Sequence, residues 1–159
     1  VNNTSVRDLD AQVEALQTAT RDLVGVTLRS LDLLEGHVSL PQFRMLAALD
    51  ELGRCPSSAV ARELGLGASS VTRLGDRLEA SGHIVRGNDP RSRSVVTVEL
   101  SPAGRALVTR VMRWQREELA RILGRLPARR RTELAGGLCE LHAAAGGQYA
   151  TETYGPLPL

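Results

Sequence analysis

The chain has 159 residues, 42% of them apolar and 3% aromatic, with 20 basic and 18 acidic side chains and a formal net charge of +2. That length sustains a hydrophobic core, but so few aromatics beside abundant Leu, Ala, Arg and Glu exclude a large β-sandwich or barrel and leave a mainly α chain. No run reaches the roughly 18 to 20 apolar residues of a membrane span and no basic-then-apolar leader is present, so the expectation is a cytoplasmic protein without a membrane partner.

Leu9, Val13, Leu16, Thr20, Leu23 and Thr27 recur in steps of four and three, continued by Leu31 and Leu34, and predict one long amphipathic helix ended by Gly36. Its narrow seam suits packing on its own chain or on a second copy. Leu40-Pro41 opens a second helix with Phe43, Leu46, Ala47 and Leu49 on its apolar face, closed by Gly53. Ser57 reads as the N-cap of a short helix through Val60, Ala61 and Leu64. After the tight turn Gly65-Leu66-Gly67, a further helix from about Ala68 to Ala80 carries Val71, Leu74 and Leu78 on one face.

From His83 the period changes. Ile84-Val85-Arg86 and Val95 to Leu100 read as strands joined by a long polar tip, Gly87 to Ser94. Ser101-Pro102 then caps a helix carrying Leu107, Val111, Trp114, Leu119, Ile122 and Leu126, and after Pro127 a last helix carries Leu134, Leu138 and Leu141. The segment 146–159 lacks periodicity and reads as a loose tail.

Residues 57–100 thus run helix, turn, helix, strand, arginine-tipped loop, strand, the order of a winged helix-turn-helix. Between Arg54 and Arg93 seven Arg face four acids, so the middle of the chain is its basic part. With Val71, Leu74 and Leu78 turned inward, Ser69, Ser70, Thr72, Arg73, Asp76 and Arg77 fall on the outer arc, where a helix entering a DNA major groove meets base edges. Arg73 is placed to read guanine through its guanidinium fork, and Arg77 to meet phosphate. Arg91 and Arg93 at the hairpin tip suit phosphates or a narrow minor groove, and Ser57 and Ser58 suit phosphate beside a helix N-terminus.

These segments, from Leu40 to Leu107, resemble the multiple-antibiotic-resistance regulator (MarR) family of bacterial transcription factors. The most specific parts are Val71-Thr72-Arg73-Leu74 with Asp76-Arg77-Leu78-Glu79, Gly82 with Ile84-Val85-Arg86, Asp89-Pro90-Arg91, and Leu100 to Gly104. The resemblance implies a winged helix-turn-helix at 40–100, flanked by dimerisation helices at 6–35 and 102–145. It further implies a homodimer on a pseudo-palindromic double-stranded operator, with repression the commoner habit and release by a small phenolic or lipophilic effector. Three positions depart from the pattern. Gly67 replaces the frequent Ser or Thr cap, and Gly75 occupies an apolar position, where it is either tolerated or allows another chain or DNA close. Ser92 stands where the wing frequently has an acid, which leaves open whether Arg91 or Arg93 enters the minor groove.

The resemblance also implies an effector crevice, for which His37, Phe43, Met45 and Trp114 are candidates, although sparse aromatics on helices are more often plain core. Cys55 next to Arg54 offers an alternative, a redox-responsive regulator, if the guanidinium lowers the thiol pKa, although an inert thiol is the first reading. Cys139 reads as packing. Neither cysteine has a His or second Cys at ligand spacing, so no metal site is expected. His37, His83 and His142 are scattered and no phosphate loop, HExxH or nucleophile elbow occurs, so neither enzyme nor cofactor is expected. A winged helix used for protein contact is the remaining alternative, disfavoured by an outer arc without apolar anchors.

Overall fold

In a computed structural model that describes residues 3–34, 36–89 and 92–146, with the side chains of 3–7 and 92–94 left aside, the predicted helices form. Helix α1 (Asn3–Ser30) continues into a 3-10 turn (Leu31–Leu34), followed by α2 (Leu40–Leu52), strand β1 (Cys55–Pro56), α3 (Ser57–Leu64) and α4 (Ala68–Ala80). Strands β2 (Ile84–Asp89) and β3 (Ser92–Leu100) lead into α5 (Pro102–Leu123) and α6 (Ala128–Ala144). The expected class, mainly α with a small β-hairpin, is the observed one.

Local chemistry explains the helix starts. The Ser39 N–H donates to Gln42 Oε1 at 2.8 Å ahead of Pro41 in the first turn of α2. Ser101 caps α5 by accepting from the Gly104 N–H at 3.1 Å, while its own hydroxyl donates to the Gly82 carbonyl at 2.6 Å. That second bond ties the start of α5 to the base of the hairpin. The Gly104 position is tight as well: a Cβ there would lie 2.0 Å from the His83 carbonyl oxygen.

The antiparallel sheet has the order β1-β3-β2, with Cys55 and Arg86 both opposite Val98. Two expectations are corrected. Pro56, not Ser57, is the N-cap of α3, because Cys55-Pro56 is held in extended form by pairing with β3. The long polar tip is mostly strand, since Asp89 pairs with Ser92 and pairing shifts only between Asn88 and Asp89. Backbone hydrogen bonds can run through polar residues where neither face of a hairpin is buried.

The core is one cluster built from α2, α3, α4, the sheet and the first half of α5, including Phe43, Leu46, Leu49, Val60, Val71, Leu78, Ile84, Val98 and Val111. Helix α1 joins it only at its end, where buried Gln115 donates to buried Ser30 at 2.7 Å and Arg110 donates to the Leu33 carbonyl at 2.7 Å. Every side chain from 8 to 24 is exposed, as is every one from 128 to 144. Among the described residues no helix is long and apolar enough to cross a membrane, and no group of three or more His, Cys, Asp or Glu could hold a metal ion.

Candidate nucleic-acid interface

The turn that aims α4 is built on Gly65, whose φ of 63° and ψ of 31° suit a residue without Cβ. Its N–H donates to the Arg62 carbonyl at 3.2 Å and the Leu66 N–H reaches back to Ala61 at 2.9 Å, the double bond pattern that ends a helix and redirects the chain. Gly67 then caps α4, its carbonyl accepting from the N–H groups of Ser70 and Val71.

Helix α4 is divided into stripes. Val71 and Leu78 are buried and Leu74 packs against the same core. Ser69, Thr72, Arg73, Asp76 and Arg77 are exposed and Ser70 is half-buried, so the expected outer arc faces away from the core. The Thr72 hydroxyl donates to the Ala68 carbonyl at 2.9 Å, which leaves its oxygen as an acceptor. Arg73 and Arg77 lie along an open cleft of about 370 Å³ with Pro41, Leu66, Ser70 and Leu74. Among the described residues no hydrogen bond or ion pair engages either guanidinium. Two cations one turn apart on an exposed helix face can meet anionic oxygens without first giving up a protein partner.

Two other arginines of this region are engaged. Arg86, on β2, reaches the Asp76 carboxylate at 2.7 Å, the Glu79 carboxylate at 3.3 Å and the Thr72 carbonyl at 3.2 Å. Gly75 is the reason it can: a Cβ there would sit 2.5 Å from Arg86 Nη2. The close approach that the sequence left to another chain or to DNA is therefore made by the chain's own arginine. Arg54 lies over the hairpin in a similar way, donating to Thr97 Oγ1 at 3.3 Å and to the Asn88 carbonyl at 3.1 Å, with Glu99 at 3.9 Å. Neither Arg86 nor Arg54 stood out in the sequence as a site residue. The polar stripe Thr72, Gly75, Asp76, Glu79, at spacings of three and four, was the available signal for Arg86.

At the start of α3, Ser58 is exposed, while Ser57 is half-buried with its hydroxyl 3.5 Å from the Val96 carbonyl. Arg91 lies outside the described residues, and for Arg93 only the backbone, within β3, is described.

The crevice candidates are dispersed. Phe43 and Met45 are buried in the core cluster, as the fit of their apolar side chains between α2 and its neighbours requires, and Trp114 is half-buried on α5. His37 alone of the four is exposed, and it lines a cleft of about 270 Å³ with Leu34, Val38, Ser81, His83, Leu107 and Arg110. For Cys55 the structure favours the inert thiol over the redox alternative. The thiol is buried and burial pushes its pKa up, while the Arg54 guanidinium that was to lower it is spent on the hairpin. Cys139, expected in packing, is exposed on α6.

Comparison with known proteins places this geometry. The MarR family sequence model matches residues 38–96. The chain is 36% identical over 64 residues to the uncharacterized HTH-type transcriptional regulator YfiV of Bacillus subtilis, a match that spans 40% of each protein. It superposes on the crystal structure of RV1404 from Mycobacterium tuberculosis with a TM-score of 0.80 and 33% identity, covering 86% of this chain and 94% of that one. A MarR family protein from Bacillus stearothermophilus shares the fold at a TM-score of 0.71 and 23% identity, over 92% and 99% of the two chains. With the helix-turn-helix, the hairpin and both flanking helical regions accounted for, the chain belongs to the MarR family of transcriptional regulators.

Proposed function

We propose that the chain is a homodimeric, sequence-specific double-stranded DNA-binding regulator that acts in the cytoplasm as a repressor and is released by a small lipophilic or phenolic effector. The observation that carries the reading is the outer face of α4, where Ser69, Thr72, Arg73 and Arg77 are exposed and the two guanidinium groups are unengaged among the described residues. Arg73 would donate its fork to guanine, and the serines and Thr72 would add shorter contacts to neighbouring base edges. Arg77, Ser57, Ser58 and the wing arginines Arg91 and Arg93 would contact phosphate or minor groove, supplying affinity and salt dependence rather than sequence choice.

Dimerisation is supported by exposed apolar side chains on the two helices that leave the core. Leu9, Val13, Leu16 and Leu23 on α1, and Leu134, Leu138 and Leu141 on α6, follow helical spacing and face solvent in the single chain. A second copy would bury both stripes and place two α4 helices on two half-sites. The cleft lined by His37, His83 and Arg110 lies where the 3-10 turn and α5 meet the end of α4, a position from which an effector could bias the lobe against the helices.

The test is selection of duplexes from a random-sequence pool by the purified protein, followed by anisotropy titration of the selected and random duplexes at several salt concentrations. Enrichment of a pseudo-palindrome with half-sites about 10 bp apart is the expected result. No enrichment, with equally weak binding to every duplex, would overturn the reading.

A further inference from the structure

We propose that Arg86 is a positioning residue of the DNA-reading face: laid across Gly75, it fastens β2 to α4 and holds the Asp76 carboxylate away from Arg73 and Arg77. The inference rests on the DNA-binding reading above and adds a role that the reading does not require.

The geometry is specific. Thr72, Gly75, Asp76 and Glu79 form one stripe of α4 at i, i+3, i+4 and i+7, and the Arg86 guanidinium contacts or overlies each of the four. Only a residue without Cβ leaves room, because the nearest guanidinium nitrogen would be 2.5 Å from a Cβ at position 75. The Asp76 and Glu79 side chains remain about half exposed, at 56% and 43%, and ion pairs so open to water contribute little to folding. The consequence for charge is larger. Asp76 lies one turn after Arg73, a spacing at which an unheld carboxylate would pair with that guanidinium or stand uncompensated beside DNA phosphate. Arg86 removes both alternatives, and its planar fork can hold two carboxylates and a carbonyl at once where a lysine could not.

Anisotropy titrations of the full chain and of Arg86→Ala, Asp76→Asn, the double variant Arg86→Ala/Asp76→Asn, and Gly75→Ala test this on a duplex selected by the wild type and on random duplex. Arg86→Ala is expected to weaken binding roughly tenfold, and Asp76→Asn in that background to restore most of the loss, a rescue that a merely structural role would not show. Gly75→Ala is expected to weaken DNA binding while leaving the thermal midpoint equal or higher, since the added methyl displaces only the far end of a flexible side chain and improves the helix. An unchanged affinity in Arg86→Ala, or a loss that Asp76→Asn does not restore, would overturn the proposal while leaving the regulator reading intact. A wild type that binds no duplex would overturn the regulator reading and this proposal with it.

Discussion

The lobe from α2 to β3 and the two helices that extend from it, α1 and α6, obey different rules although both are rich in leucine. In the lobe, Phe43, Leu46, Val60, Val71 and Leu78 meet partners from every side and are essentially inaccessible to water. On α1 and α6, leucines at comparable helical spacing are 41–59% exposed, as Leu9, Leu16, Leu134 and Leu138 illustrate. The lobe completes its core with the first half of α5, while α1 and α6 carry a stripe that the single chain leaves uncovered. Amphipathic spacing therefore identifies a face to be buried without identifying what buries it.

The contrast can be broken first at its strongest point. Phe43→Ala should cost about 3 to 5 kcal/mol by removing a fully buried ring, with a loss of denaturation midpoint that does not vary with protein concentration. Gly104→Ala should be of similar severity, since a Cβ 2.0 Å from a backbone carbonyl forces the start of α5 off the hairpin; an unchanged thermal midpoint would contradict that packing. Leu16→Glu with Leu138→Glu should instead leave the lobe's secondary structure intact and turn a dimer into a monomer in sedimentation, with loss of cooperative DNA binding. Smaller again, Arg73→Ala should cost about 1 to 3 kcal/mol per contact on selected DNA and much less on random duplex. The smallest effect belongs to Cys55→Ser. With the thiol pKa raised by burial, the protonated form dominates further into alkaline pH, so the response of DNA binding to peroxide at neutral pH should be the same with and without the cysteine.

Much of the lobe was legible because its signals are local. Pro41, Gly53, Ser101 and the apolar positions of α4 each specify a boundary or a face through covalent geometry and period, and the bounds of α4 follow from them. What escaped depends on partners distant in sequence. Cys55-Pro56 is a strand only because Val98 and Thr97 lie opposite, and two residues carry no periodicity of their own. Asn88 and Asp89 have low strand propensity, yet pairing with β3 carries β2 through them. The outer arc of α4 could be drawn from 100° per residue, but the division of its charges could not. The stripe Thr72, Gly75, Asp76, Glu79 marks a place for a cation, but its spacing does not say that Arg86, 10 residues after Asp76, takes it while Arg73 and Arg77 are left open. The choice between an inert and a reactive Cys55 was hidden for the same reason, since the adjacent Arg54 reaches across to Asn88 and Thr97 rather than to the thiol.

The central claim is that two copies of the chain set two α4 faces on one duplex. Hydroxyl-radical footprinting of the wild-type protein on its selected duplex, with the number of chains per duplex measured in the same solution, tests it most directly. Two protected half-sites about one helical turn apart, occupied by two chains, are the result predicted here. A single protected segment bound by one chain, or uniform protection without half-sites, would contradict it.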